Sequence, residues 1–285
     1  MPILAKSARQ ICVAAFVLSL LTFDLRGQSS DMFKFSKESR EALEKRTLVI
    51  KEEIDELKSH PWAGEYLYGN GLSSFHLTVA PESGFAFYSQ GCIGIYGFNF
   101  GSVRKNGTLE LLLKEPHRPG DPFSISPELI LISWGDRHYL VPPSEIVEFV
   151  NAINAGFEPR KSASGQFFLK KGDEHRPATG SPNIPTEYAD YLLEKPIEGK
   201  VSSVREIRHE GEKMRSSVLL NIGKAQGVRV DMRFYLQDSS RFYAPAVITA
   251  VNDSNSVAEL VQFKDSPPPN PGLLVSTLSY HKEFE

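Results

Sequence analysis

The chain has 285 residues, 41% hydrophobic and 24% charged, with a formal net charge of −3. That balance excludes a disordered chain and a fibrous repeat, and the length suffices for one large or two ordinary hydrophobic cores. A slightly acidic chain also counts against sequence-independent nucleic-acid binding, which needs a concentrated basic surface to displace counterions from phosphates.

The first segment stands outside any core. Lys6 and Arg9 precede an apolar run from Ile11 to Phe23 that stops at Asp24. Such a run is too short for a span of roughly 17 to 25 apolar residues and reads as a secretory signal peptide over residues 1–29. The protein is therefore expected to be periplasmic or secreted. If the segment stayed attached, it would tether the protein to a membrane. Its removal leaves 29 basic and 34 acidic residues, a net charge of −5. It also removes Cys12, so Cys92 has no internal partner for a disulfide and is expected as a small buried hydrophobe.

Residues 30–60 read as an amphipathic helix. Leu43, Thr47, Ile50, Ile54 and Leu57 recur at spacings of three and four, and Pro61 closes the pattern. This narrow stripe predicts packing against the protein's own domain, with a short coiled coil as the alternative.

From Trp62 the period changes to two. Phe75, Leu77 and Val79 alternate with Ser74, His76 and Thr78, and turns recur at Gly69-Asn70-Gly71, Pro81-Glu82-Ser83-Gly84 and Asn106-Gly107. Residues 61–195 are thus predicted as an antiparallel meander with one or two accessory helices. Gly91, Gly94, Gly97 and Gly101 read as bulges or close strand contacts, because no helix follows them to form a nucleotide loop. A second block pairs Leu129–Trp134 with Arg137–Val141 across Gly135-Asp136. A helix over Ser144–Ala155 follows, capped by Gly156, and then a short one over Thr186–Leu193. Residues 196–285 return to strands at 200–207, 216–222, 233–236, 246–251, 256–263 and 273–278. Six short strands of even spacing predict a small closed barrel or sandwich. The fold class is therefore mostly β.

Two parts of the chain resemble known families. Val218–Phe234, with Gly223, Gly227 and Val228 in a Gly-x-x-x-Gly-Val turn between strands, resembles the small periplasmic barrel of the rod-shape-determining protein C family. Ala246–Val251 and Ser256–Leu260 continue that likeness, over about 60 residues. The resemblance implies a non-catalytic assembly surface. That family's long coiled coil has no counterpart here, so a role in cell elongation is not implied. Trp62-Ala63-Gly64-Glu65-Tyr66, opening a meander, is similar to the start of lipocalin-type and META-type barrels. Gly135–Pro142 with Gly172-Asp173-Glu174 is similar to secreted bacterial proteins of no assigned function.

Three candidate sites follow. In a lipocalin-like carrier, Phe75, Phe85, Phe87, Ile93 and Ile95 would line a cup for a small apolar ligand. Asp136, Arg137 and His138 form a polar turn able to serve acid–base or anion-binding chemistry. A hydrolase would use Cys92 with His76 or His138, since a thiol needs an imidazole to become a thiolate near neutral pH. The seven histidines lack metal-ligand spacing, and no metal or cofactor is expected. Arg160-Lys161, Lys170-Lys171 and the acidic Gly172-Asp173-Glu174 read as solvated loop charge. The leading expectation is a non-enzymatic exported binding or scaffolding protein, with envelope proteins or a small apolar ligand as partners.

Overall fold

Alternating side chains close the meander on itself. A computed structural model describes residues 37–69, 73–92, 94–115, 121–159, 165–237 and 244–279. The proposed signal segment 1–29 lies outside them, as do Ile93, Arg160 and Lys161. The described chain is mostly β and contains two closed antiparallel barrels.

The first barrel has eight strands in sequential order: β1 (Gly64–Gly69), β2 (Ser73–Ala80), β3 (Gly84–Gly91), β4 (Gly94–Asn106), β5 (Thr108–Leu113), β6 (Glu128–Trp134), β7 (Arg137–Val141) and β8 (Phe168–Lys170). Pairing of Tyr66 with Lys170 and Leu67 with Leu169 joins β1 to β8 and closes the ring. The register Tyr68↔Phe75↔Ser89 and Tyr66↔Leu77↔Phe87 puts one set of residues on the inner face. Tyr66, Phe75, Leu77, Phe85, Phe87, Leu140 and Phe168 are all at most 5% exposed. Eight strands enclose a space about wide enough for side chains to fill. Here rings fill it: Tyr68 and Phe168 flank Phe75 and Phe87 with centroids 5.3 to 6.5 Å apart.

The glycines of β4 allow close strand approach. A Cβ on Gly101 would stand 1.9 Å from the Leu112 carbonyl oxygen, and a bulge interrupts the β3–β4 register between Ser89 and Gln90. Helix α1 (Lys37–Leu57) lies on the outer face of β2–β4, with Leu43 and Ile50 buried against it. Two polar clamps fix its position. Glu53 accepts the backbone N–H groups of Glu82 and Ser83 at 3.0 and 2.6 Å, and Arg46 donates to the Gly101 carbonyl at 3.0 Å. The stripe thus serves intramolecular packing.

Helix α2 (Ile146–Asn154) covers the outer face of β6–β8, where Ile132, Tyr139, Val141, Phe167 and Leu169 meet its Ile146, Phe149 and Val150. Its end is closed by Gly156 at φ +81°, with the Gly156 and Phe157 amides donating to Ile153 and Ala152. The predicted helix over Thr186–Leu193 is a 3-10 turn, Thr186–Tyr191.

The second barrel joins β9 (Glu198–Glu210), β10 (Lys213–Leu220), β11 (Arg233–Leu236), β12 (Ala246–Val251), β13 (Ser256–Phe263) and β14 (Leu274–Ser276) in the order β10-β13-β12-β11-β14-β9. Val218, Leu220, Phe234, Ile248 and Leu260 fill its interior. The Gly-x-x-x-Gly turn docks on the β12–β13 connection: a Cβ on Gly223 would come 2.3 Å from the Asn252 carbonyl, to which Lys224 donates at 2.8 Å. Helix α2 also bridges the barrels. The buried Asn151 amide donates to the Asp231 carbonyl at 2.8 Å and accepts from the Arg233 amide at 3.2 Å, while Glu148 pairs with Arg233 at 2.8 Å.

Candidate functional site

The inner face of the first barrel turns polar at one end. The β1–β8 and β6–β7 registers place Lys170 beside Tyr66 and His138 beside Ser133, so Lys170 and His138 follow Phe168 and Leu140 along the inward-pointing rows. Opposite them runs the connection from α1 to β1, carrying Lys58, Ser59 and His60. Between the two lies a cavity of about 500 Å³.

Asp173 is the hub of this mouth. It is 2% exposed, and its carboxylate accepts two hydrogen bonds and forms one ion pair. The His138 amide and Nδ1 both reach Oδ2 at 2.9 Å, and Arg176 Nε lies 3.2 Å from Oδ1. A carboxylate only accepts, so the His138 proton sits on Nδ1. The Asp173 amide donates to the Lys170 carbonyl at 3.0 Å, which ties the turn to the end of β8.

Glu65 is the other carboxylate of the cavity. Its two oxygens meet Lys51 at 2.7 Å and Lys171 at 3.1 Å. Burial works against its ionisation, but the hydrogen bonds to those two lysines prevail and lower its pKa. Lys170 differs from Lys51, Lys171 and Arg176. Its Nζ donates to the His60 carbonyl at 3.0 Å and forms no ion pair among the described residues. Burial draws its pKa below the ordinary lysine value, only partly opposed by the charge of Asp173. Tyr66, paired with Lys170 across β1 and β8, donates to the Trp62 carbonyl at 2.9 Å, and burial together with the Asp173 charge raises its hydroxyl pKa.

The residues singled out in the sequence separate. Phe75, Phe85 and Phe87 share the filled interior, and none of them lines the mouth cavity. Ile95 lies outside the barrel, in a groove of about 480 Å³ between α1 and the sheet, near Leu48, Tyr88 and Gln90. Strand alternation divides the polar turn. His138 faces inward, Asp136 is exposed, and Arg137 turns to the carbonyls of Arg176 and Glu174 and to Glu158.

Three expectations need correction. Cys92 is exposed, not buried, because it occupies the turn between β3 and β4 instead of a strand interior. That turn is at the barrel end opposite His138. His76 points outward, stacked on Tyr88 at 4.4 Å and bonded to Ser74 and Gln90. Asp173 and Lys170 are not solvated loop charge. The short strand Phe168–Lys170 carries Lys170 into the ring, and the turn behind it folds Asp173 under His138.

Among the described residues, no group of three or more His, Cys, Asp or Glu side chains is placed to hold a metal ion. Comparisons with protein-family models, curated proteins and solved structures return no match. The likenesses seen in the sequence therefore rest on the residues quoted for them.

Proposed function

We propose that this protein is a non-enzymatic, exported binding protein whose first barrel takes a small polar ligand at its mouth while the second offers an assembly surface. The observation that carries the reading is a cavity of about 500 Å³, lined by fixed charges, at the end of a barrel whose interior is filled by its own rings. Small-ligand sites occupy roughly 300–1,000 Å³, with a few convergent polar groups that set orientation. An apolar ligand of the lipocalin kind would have to displace Phe75 and Phe87 from the interior. Binding is favoured over catalysis because the carboxylate that could drive proton transfer, Asp173, is already engaged by two hydrogen bonds from His138 and an ion pair to Arg176. Export is supported by the basic and apolar pattern of residues 1–29.

The test is purification of the mature protein from envelope extract, followed by native mass spectrometry of the wild type and a Ser59→Trp variant. Ser59 is exposed and lines the cavity, so an indole there occupies the ligand space without disturbing a strand. A small molecule bound at one per chain in the wild type and missing from the folded variant is the expected result. A molecule retained equally by both, or none in either, overturns the proposal.

A further inference from the structure

We propose that the mouth cavity selects a small anion, a carboxylate- or phosphate-bearing molecule whose anionic group sits on the Lys170 ammonium with Lys58 at the rim. This rests on the reading of the cavity as a ligand site and names its chemistry.

Most of the charges around the cavity are already neutralised. Both oxygens of Glu65 are taken by Lys51 and Lys171, and both oxygens of Asp173 by Arg176 and His138. Lys58 and Lys170 remain without an ion pair among the described residues, and both line the cavity. Helix α1 ends at Leu57 beside them and contributes a partial negative charge of about half a unit. Two full positive charges outweigh it. The cavity is therefore electropositive although the whole chain is acidic.

The ammonium is also incompletely satisfied. It has three N–H donors and uses one, on the His60 carbonyl at 3.0 Å. Its stem crosses Gly64, where a Cβ would stand 2.8 Å from Lys170 Cε and the lysine would have to shift aside. A partly buried cation with spare donors and no ion pair carries a desolvation cost that an anion would offset. A neutral guest would leave that cost in place, and a cationic one would increase it. Carboxylate and phosphate oxygens suit an ammonium and yield charge-assisted bonds stronger than neutral ones. Lys171 and Arg176 stand close enough to the cavity to add longer-range attraction while held by their own partners.

The experiment is calorimetric titration of the mature protein at low salt with succinate, inorganic phosphate and glycerol 3-phosphate. Succinamide and glycerol serve as uncharged counterparts, and sedimentation with phosphatidylglycerol vesicles runs in parallel. Variants are Lys170→Met, Lys170→Arg and, as a control on the second barrel, Lys213→Met. Saturable binding of at least one anion is expected, weakened about tenfold or more by Lys170→Met, as suits the loss of one charge-assisted hydrogen bond. Lys170→Arg should retain most of it and Lys213→Met all of it. Vesicle binding that Lys170→Met abolishes, without binding of the soluble anions, assigns the same chemistry to a lipid headgroup. Equal binding of uncharged counterparts, or indifference to Lys170→Met, overturns anion selection while leaving the ligand site in place. No binding by any probe overturns the anion assignment, and the Ser59→Trp comparison then decides the site itself.

Discussion

Replacing Asp173 with alanine should loosen the first barrel from its mouth, and the magnitude follows from the bonds removed. The hydrogen bond to His138 Nδ1 disappears, worth about 1.5–3 kcal/mol, and with it the ion pair to the half-exposed Arg176, worth about 0–1 kcal/mol. The His138 amide also loses its acceptor, at a cost of about 1–3 kcal/mol if nothing replaces it. Water entering from the adjoining cavity will recover part of this, since water-mediated bonds are nearly as good as direct ones. The loss should then settle near 3 kcal/mol by the same figures. Asp173→Asn keeps one acceptor oxygen for the amide and should lose about half as much. Both tryptophans lie in the first barrel unit, Trp62 in its core and Trp134 on β6, so urea unfolding followed by tryptophan fluorescence reports on that unit. A loss below about 1 kcal/mol for Asp173→Ala, the level of an exposed pair, would refute the view of Asp173 as a structural hub.

Other perturbations test the core, the bridge and the unpaired lysine. Phe87→Ala should cost about 3–5 kcal/mol and create an apolar void, so a hydrophobic dye should bind the variant and not the wild type. Asn151→Ala removes two bonds between the barrels and should uncouple them, seen as two separated calorimetric transitions where the wild type unfolds more cooperatively. Lys170 titrates below the ordinary lysine value of 10.5 when folded, so the unfolded chain binds more protons between the two values. Wild-type stability should therefore rise relative to Lys170→Met as pH passes upward through the folded value toward 10.5, which urea melts across that range would measure.

The barrels were legible because their strands alternate. Phe75, Leu77 and Val79 announce an inner face by period alone, and Asn106-Gly107 announces the hairpin between β4 and β5. The closing strand was harder to see. Phe167, Phe168 and Leu169 are all buried, two against α2 and one against the barrel interior, so no alternation marks them, and three residues give no length signal. Missing that strand meant missing the site, because Lys170 gains its inward direction from pairing with Tyr66. Asp173 looked like a solvated acid for the same reason: its partner His138 lies 35 residues upstream, and only the β7–β8 adjacency brings them together. The misplacement of Cys92 has a different source. Cys92 was read within a strand-like apolar run, and the structure puts a turn there, after a strand that ends at Gly91 and before one that begins at Gly94. One signal for the site was present in the sequence, since Gly64 opens a strand whose neighbour ends in paired lysines, but nothing local reveals that neighbour.

The central claim is that ligand chemistry resides at the charged mouth and not within the ring-filled interior. Amide chemical-shift mapping of the isotopically labelled mature protein, titrated with succinate and inorganic phosphate, tests it most directly. The largest perturbations should fall on Gly64, Glu65, Lys170 and Lys171. Perturbations centred on the strands bearing Phe75 and Phe87, or on the groove beside Leu48 and Gln90, would contradict it.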